Sequence, residues 1–207
     1  MRNDPDLAGA YALQTPEDNK RLYARWAESY EAGFVAENDY ILHRAVAEAF
    51  TENGRGPVLD IGAGTGLCGA ALRALGIAPV DGTDISAEML EQADQKGVYR
   101  KTFAGDILVG LDVPDGTYTG IVSSGTLTHG HVGPDGLDEV VRLLAPDGQA
   151  VLSINRAHFE AQGFAAKLDS LRPDLSSTEL RDVSIYGPKA AHDHAQDRAT
   201  LVLMTKA

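Results

Sequence analysis

The sequence predicts an α/β fold, a mostly parallel sheet with helices on both of its faces. Short apolar runs alternate with stretches of helical periodicity between residues 58 and 154. Three of those runs close on an acid, and the first leads at once into a glycine-rich turn, "VLDIGAGTGLCGAAL", residues 58–72. Such alternation is what parallel strands joined by helical crossovers produce.

Residues 1–15 are polar and turn-rich. "TPEDNKRLYARWAESY" reads as a helix start, with Thr15 as cap and Pro16 in the first turn. Leu22, Trp26 and Tyr30 then recur at helical spacing, with Tyr23 beside them. A second helix is predicted over 39–50, and "TENGRGP" breaks it. Strands follow at 58–61, 78–83, 98–103, 120–124 and 150–154, with helices at 67–75, 87–95 and 135–144 between them. After Asn155 the rhythm changes to one helix over 157–171 and strands near 181–186 and 200–205, close enough to pair antiparallel at a sheet edge. The expected organisation is a single domain: an N-terminal helical cap (1–53), a cofactor-binding core (54–155) and a C-terminal helix with edge strands (156–207).

Composition narrows the function. A chain of 207 residues is long enough for a full core. Its net charge of −12 repels nucleic acid and anionic lipid, and its bases are scattered, so no nucleic-acid partner is expected. Cys68 is the lone cysteine, which excludes an internal disulfide and a multi-cysteine metal site; beside a glycine turn it reads as a small packed residue. The N-terminus lacks the basic and apolar regions of a signal peptide, and no apolar run approaches ~18 residues, so a cytoplasmic protein without a membrane partner is expected.

Two readings of the turn compete. Gly64, Gly66 and Gly69 fit G-x-G-x-x-G, the dinucleotide fingerprint, with Asp84 at a fitting distance. Asp60, however, closes the first strand immediately before the glycines. A pyrophosphate wants backbone N–H groups and no nearby anion, whereas an acid suits a cationic ligand. S-adenosylmethionine carries an ammonium and a sulfonium, and the acid favours it. Asp84, in "VDGTDIS", can accept both ribose hydroxyls, a device that NAD shares. Asp106, in "FAGDIL", can accept from the adenine amino group, while Ile107 offers a backbone N–H and an apolar wall. The three strand ends together make a crevice at the carboxyl edge of the sheet.

The assembled pattern resembles class I S-adenosylmethionine-dependent methyltransferases. "VLDIGAGTG", "GTDIS…ML", "AGDI", "IVSSGTLTHGHV" and "LLAPDGQAVLSIN" carry the resemblance across residues 58–155, and "YARWAESY" resembles the first helix of many small-molecule members. The "THGHV" stretch is similar to that of the Williams–Beuren-region methyltransferase-like group. The resemblance implies a Rossmann-like seven-stranded sheet with an antiparallel last strand. It also implies S-adenosylmethionine as cofactor, S-adenosylhomocysteine as product, and a small-molecule acceptor methylated by in-line displacement. Tyr23, Trp26, Asp60, Gly62, Ala63, Gly64, Thr65, Gly66, Asp84, Ile85, Met89, Gly105, Asp106, Ile107 and Ser123 are the implied cofactor contacts, the N-terminal helices roofing the methionine end.

A sulfonium methyl needs no metal to become a leaving group. The fourth strand ends in Ser123-Ser124, where magnesium-dependent relatives carry Asp, and it lacks the Asn/Asp-Pro-Pro-Tyr signature of amino-group methylation in nucleic acids and proteins. No metal is therefore expected, despite the H-x-H pair His192 and His194. His129 and His131 are the candidate bases, with His129 assigned the catalytic role, because an unperturbed imidazole titrates near pH ~6.5. Phe159, Phe164 and Leu168 are the expected remainder of the substrate wall. A monomer or homodimer is expected. A non-catalytic S-adenosylmethionine-binding sensor or partner protein, and an NAD-dependent oxidoreductase, stay open as alternatives at this stage.

Overall fold

Val58–Ile61 forms the first strand, β1, and all four of its residues are buried. A strand covered on both faces reads as a continuous apolar run, and only Asp60 interrupts this one. In the computed structural model the described residues are 16–27, 29–128 and 131–207, with side chains described from residue 21 onward. Thr15, the expected cap, and His129, the expected base, lie outside them.

The N-terminal segment forms helix α1 (Pro16–Trp26), a short π-helix (Glu31–Val35) and helix α2 (Leu42–Thr51). The core then runs β1, α3 (Leu67–Ala74), β2 (Val80–Asp84), α4 (Ala87–Gln95), β3 (Thr102–Ala104), β4 (Tyr118–Leu127), α5 (Gly136–Leu143) and β5 (Leu144–Asn155). Helices α6 (Arg156–Ala161) and α7 (Phe164–Ser170) and strands β6 (Leu175–Ser184) and β7 (Arg198–Lys206) complete it. The seven strands lie in the order β3-β2-β1-β4-β5-β7-β6. β1 through β5 pair in parallel, and β7 runs antiparallel to both of its neighbours. This is the Rossmann-like sheet that the sequence predicts.

Successive strand residues point to opposite faces, and the core divides accordingly. Val58 packs on one face with Phe50 of α2 and Leu72 of α3. Leu59, its neighbour, packs on the other with Leu137 of α5 and Phe164 of α7. Along β7, Leu201 and Leu203 join the first layer and Val202 and Met204 the second.

The differences from expectation have local causes. The helix predicted over 157–171 is two helices, because Gly163 takes φ +79° and ends the first. β6 starts at Leu175, ahead of the expected 181: "LSSTELRDVS" is an exposed edge strand whose polar residues hide its period. β3 spans three residues, Thr102–Ala104, and Tyr99 ahead of it donates its hydroxyl to Asp60. Tyr186 falls beyond β6, in an isolated antiparallel bridge with Tyr40.

Candidate functional site

β1 pairs with β2 on one side and β4 on the other, so the sheet's order reverses there. Crossover helices then leave in opposite directions, opening a crevice at the carboxyl ends of the strands. A cavity of about 220 Å³ lies there, lined by the turn after β1, the ends of β2 and β3, the segment after β4, and the N-terminal segment.

Backbone bonds shape the glycine turn. The amides of Gly62 and Ala63 both donate to the Thr83 carbonyl, at 2.8 and 2.9 Å, tying the turn to β2. Gly62 and Gly64 have φ of +69° and +54°, a region where a side chain is strained. They differ in surroundings. A Cβ on Gly62 would sit 1.9 Å from Thr126 Oγ1, whereas a Cβ on Gly64 would meet nothing within 4 Å and would project into open space. The Gly64 amide donates to Asp84 Oδ2 at 2.8 Å, and the Ser86 amide donates to Oδ1 at 2.9 Å. Ser86 also caps α4, its Oγ accepting from the Met89 amide. Asp106 Oδ1 accepts from the Leu108 amide at 2.8 Å. Lys96 bridges the Thr65 carbonyl and Glu31, joining the turn to the N-terminal segment.

Tyr23, Gly62, Ala63, Gly64, Thr65, Asp84, Ile85, Met89, Gly105, Asp106 and Ile107 all line the cavity. Four other predicted contacts do not. Asp60 is fully buried behind the turn, where the Tyr99 hydroxyl donates to its Oδ2 at 2.7 Å. Trp26 is buried in the core between Tyr23, Tyr30 and Phe34, because a ring at that helical position turns inward. Gly66 takes φ +89° and packs against Tyr99 and Ala93 at the start of α3. Ser123 donates to the Ile61 carbonyl at 2.8 Å and fastens β4 to β1. Cys68 is buried at the start of α3, its thiol pushed well above the usual range by desolvation.

Burial sets the protonation states. Desolvation raises Asp60 to about 7, against the opposing pull of the Tyr99 hydroxyl and the Gly69 amide. Asp84 is raised for the same reason, opposed by the backbone amides that donate to it. Desolvation raises the Tyr23, Tyr30 and Tyr40 phenols, which stay protonated. His43 and His131 are held neutral, both lowered to about 4 chiefly by burial.

Sequence reasoning missed the far wall. Phe34, Tyr40, His43, Ser124, Asn155 and Tyr186 also line the cavity. No local spacing joins Tyr40 to Tyr186; the edge of the sheet does. Phe159, Phe164 and Leu168, expected on the substrate wall, are not among the lining residues; Phe164 and Leu168 are buried in the second core layer. His194 Nδ1 lies 3.1 Å from Asp197 Oδ2, and His192 sits edge-on to Tyr186. Among the described residues, no group of three or more His, Cys, Asp or Glu side chains is placed to hold a metal ion. No described helix is long and apolar enough to cross a membrane.

This sheet, with a glycine turn after its first strand and acids closing the next two, is the fold seen in S-adenosylmethionine-dependent methyltransferases of known structure. Residues 58–148 match the family described as a methyltransferase domain. The chain is similar to human Methyltransferase-like protein 27, with 33% identity over 153 residues; the match covers 71% of this chain and 62% of that protein's length. In fold it is similar to a TehB-like S-adenosylmethionine-dependent methyltransferase from Corynebacterium glutamicum, with a TM-score of 0.61, 23% identity and coverage of 89% and 98% of the two chains. It is likewise similar to an S-adenosylmethionine-dependent methyltransferase from Thermotoga maritima, with a TM-score of 0.64, 17% identity and coverage of 91% and 99%.

Proposed function

We propose that the protein transfers a methyl group from S-adenosylmethionine to a small-molecule acceptor. One observation carries this reading: the open face of Gly64, the Asp84 carboxylate and the Asp106–Ile107 turn, from three separate strand ends, line one cavity. The cofactor, when bound, supplies a methyl on a sulfonium that is already activated for transfer.

The chain's own residues would hold it as follows. Each Asp84 oxygen accepts one backbone amide and keeps a lone pair for a ribose hydroxyl. Asp106 and Ile107 suit the adenine. The backbone of residues 62–65 suits the methionine part, with Tyr23 of α1 on the wall opposite the strands. The remaining task is to align the acceptor and exclude water, and alignment of this kind contributes roughly 7–11 kcal/mol. His129 is the base we assign where the acceptor must lose a proton. The small-molecule reading is supported by the N-terminal residues and Tyr186, which line the same cavity as the strand ends.

Calorimetry with S-adenosylhomocysteine against NAD, followed by assay of S-adenosylhomocysteine release with a metabolite extract, tests the reading. Binding of the first ligand and extract-dependent release are expected. Binding without release would make the protein a sensor, and NAD binding alone would overturn the assignment.

A further inference from the structure

One wall of the cavity is a continuous run of aromatic rings. Tyr23 meets His131 edge-on at 5.6 Å between centroids and Tyr30 at 6.1 Å. Tyr30 stacks on Phe34 at 5.2 Å, Phe34 meets Tyr40 at 5.6 Å, and Tyr40 meets Tyr186 at 6.1 Å. All six residues line the cavity. They come from α1, the π-helix, the turn before α2, the segment after β4 and the segment after β6, so the arc is a product of the fold.

The cavity's charge is one-sided. Among the described residues lining it there is no lysine or arginine, and its carboxylates belong to Asp84 and Asp106. An acceptor bearing a carboxylate or phosphate would find no cation among the described lining residues. A cation would find a wall of aromatic rings, whose faces carry a negative quadrupole; a cation–ring contact is worth about 0.5–2 kcal/mol, with the larger values in desolvated sites. The rings also stay neutral, because burial keeps their phenols protonated.

We propose that the acceptor is a small amine without an anionic group, and that the arc from Tyr23 to Tyr186 binds the positive charge that methylation places on its nitrogen. The proposal rests on the methyltransferase reading above. The nitrogen lone pair forms the new N–CH3 bond while the S–CH3 electron pair stays on sulfur, so the positive charge passes from sulfonium to ammonium. A primary or secondary amine then gives up one proton to solvent; a tertiary amine keeps the charge. A phenol or carboxylate acceptor would instead end neutral and would gain nothing from the rings after transfer. The two neutral imidazoles fit the same picture. His131 Nε2 and His43 Nδ1 are buried without a hydrogen-bond partner among the described residues, and both side chains line the cavity. An amine N–H is a donor that an imidazole nitrogen can accept.

The test uses the full chain saturated with S-adenosylhomocysteine and three probes of matched shape: benzyltrimethylammonium, its neutral tert-butyl isostere neopentylbenzene, and phenylacetate. Calorimetric affinity should be at least ten-fold higher for the ammonium than for either of the others. Tyr40→Phe, which keeps the ring, should retain that preference, and Tyr40→Leu should reduce it at least five-fold. Equal affinities, preference for the carboxylate, or no binding of the ammonium would overturn the proposal. The comparison of probes on the unmodified chain stands even where a Tyr40 variant fails to fold. S-adenosylhomocysteine binding distinguishes the two levels. Intact binding with no ammonium preference rejects the amine alone, and absent binding rejects the methyltransferase reading with it.

Discussion

The backbone amide of Gly64 donates a 2.8 Å hydrogen bond to Oδ2 of Asp84, twenty residues on. The glycine turn and the acid that closes β2 are therefore one unit. Asp84 holds the turn in shape with the same oxygens that it would offer to a ribose.

Substituting Asp84 removes both roles. A charge-assisted hydrogen bond is worth about 1.5–3 kcal/mol, so Asp84→Ala is expected to weaken S-adenosylhomocysteine binding by roughly ten-fold or more. Asp84→Asn should not restore it. Its amide NH2 would face the N–H of either Gly64 or Ser86, two donors together. Titration calorimetry of the two variants checks this, and near-native affinity in the asparagine variant would show that the turn does not depend on the second oxygen.

Gly62 and Gly64 should fail in different ways. Gly62→Ala drives a methyl into Thr126, whose Oγ1 lies 1.9 Å from the Cβ position, in a backbone of φ +69°. It should lower the thermal midpoint by several degrees, as overpacking of about 1–3 kcal/mol does. Gly64→Val meets nothing within 4 Å of its Cβ position, at a backbone φ of +54°. It should leave the circular dichroism spectrum near native and abolish S-adenosylhomocysteine binding, because the side chain occupies the cofactor's space. Tight binding in a folded Gly64→Val protein would place the ligand elsewhere.

Asp60 gives a pH signature of unusual sign. Its folded value, about 7, lies above the unfolded value of about 3.9. Between the two, the native state holds a proton that the unfolded chain has lost. This group's stabilisation is thus full below pH ~4 and is lost as pH rises through about 7. An amide in its place cannot titrate, so Asp60→Asn should gain on the native protein by roughly 2–3 kcal/mol between pH 5 and pH 8. Urea unfolding at both pH values measures this; a difference that does not change with pH would show that Asp60 stays ionised.

The histidines and metal are tested together. His131 is lowered to about 4, so it is neutral throughout pH 5–8 and contributes no inflection there. His131→Gln should keep the shape of the pH–rate profile. His129→Ala should lower turnover at pH 7 by roughly 10²–10⁴-fold with little change in cofactor affinity. That loss should shrink at high pH, where an amine acceptor is already neutral. Full activity in His129→Ala would leave alignment as the catalytic device. Activity should also survive EDTA; inactivation reversed by a divalent ion would reject the metal-free reading.

The sequence by itself determined the strand–helix alternation, the parallel core and the strand-end motifs that line the cavity. Those signals are local: "VLDIGAGTG", "GTDIS" and "AGDI" each sit at the end of one strand, and parallel strands bring their ends together in any such sheet. Whether a residue beside such a motif faces the cavity or the core was not local. Asp60 and Asp84 both lie at strand ends, yet Tyr99 takes the first carboxyl inward while the second lines the cavity. Trp26 and Tyr23 share one helix turn, and packing against Phe34 buries the tryptophan while the tyrosine reaches the cavity. Tyr186 joins Tyr40, far from it in the sequence, through a bridge that only the sheet edge supplies. Periodicity fixes which side chains share a face, but what lies opposite that face is decided by tertiary packing, and the far wall of the cavity is made of such contacts.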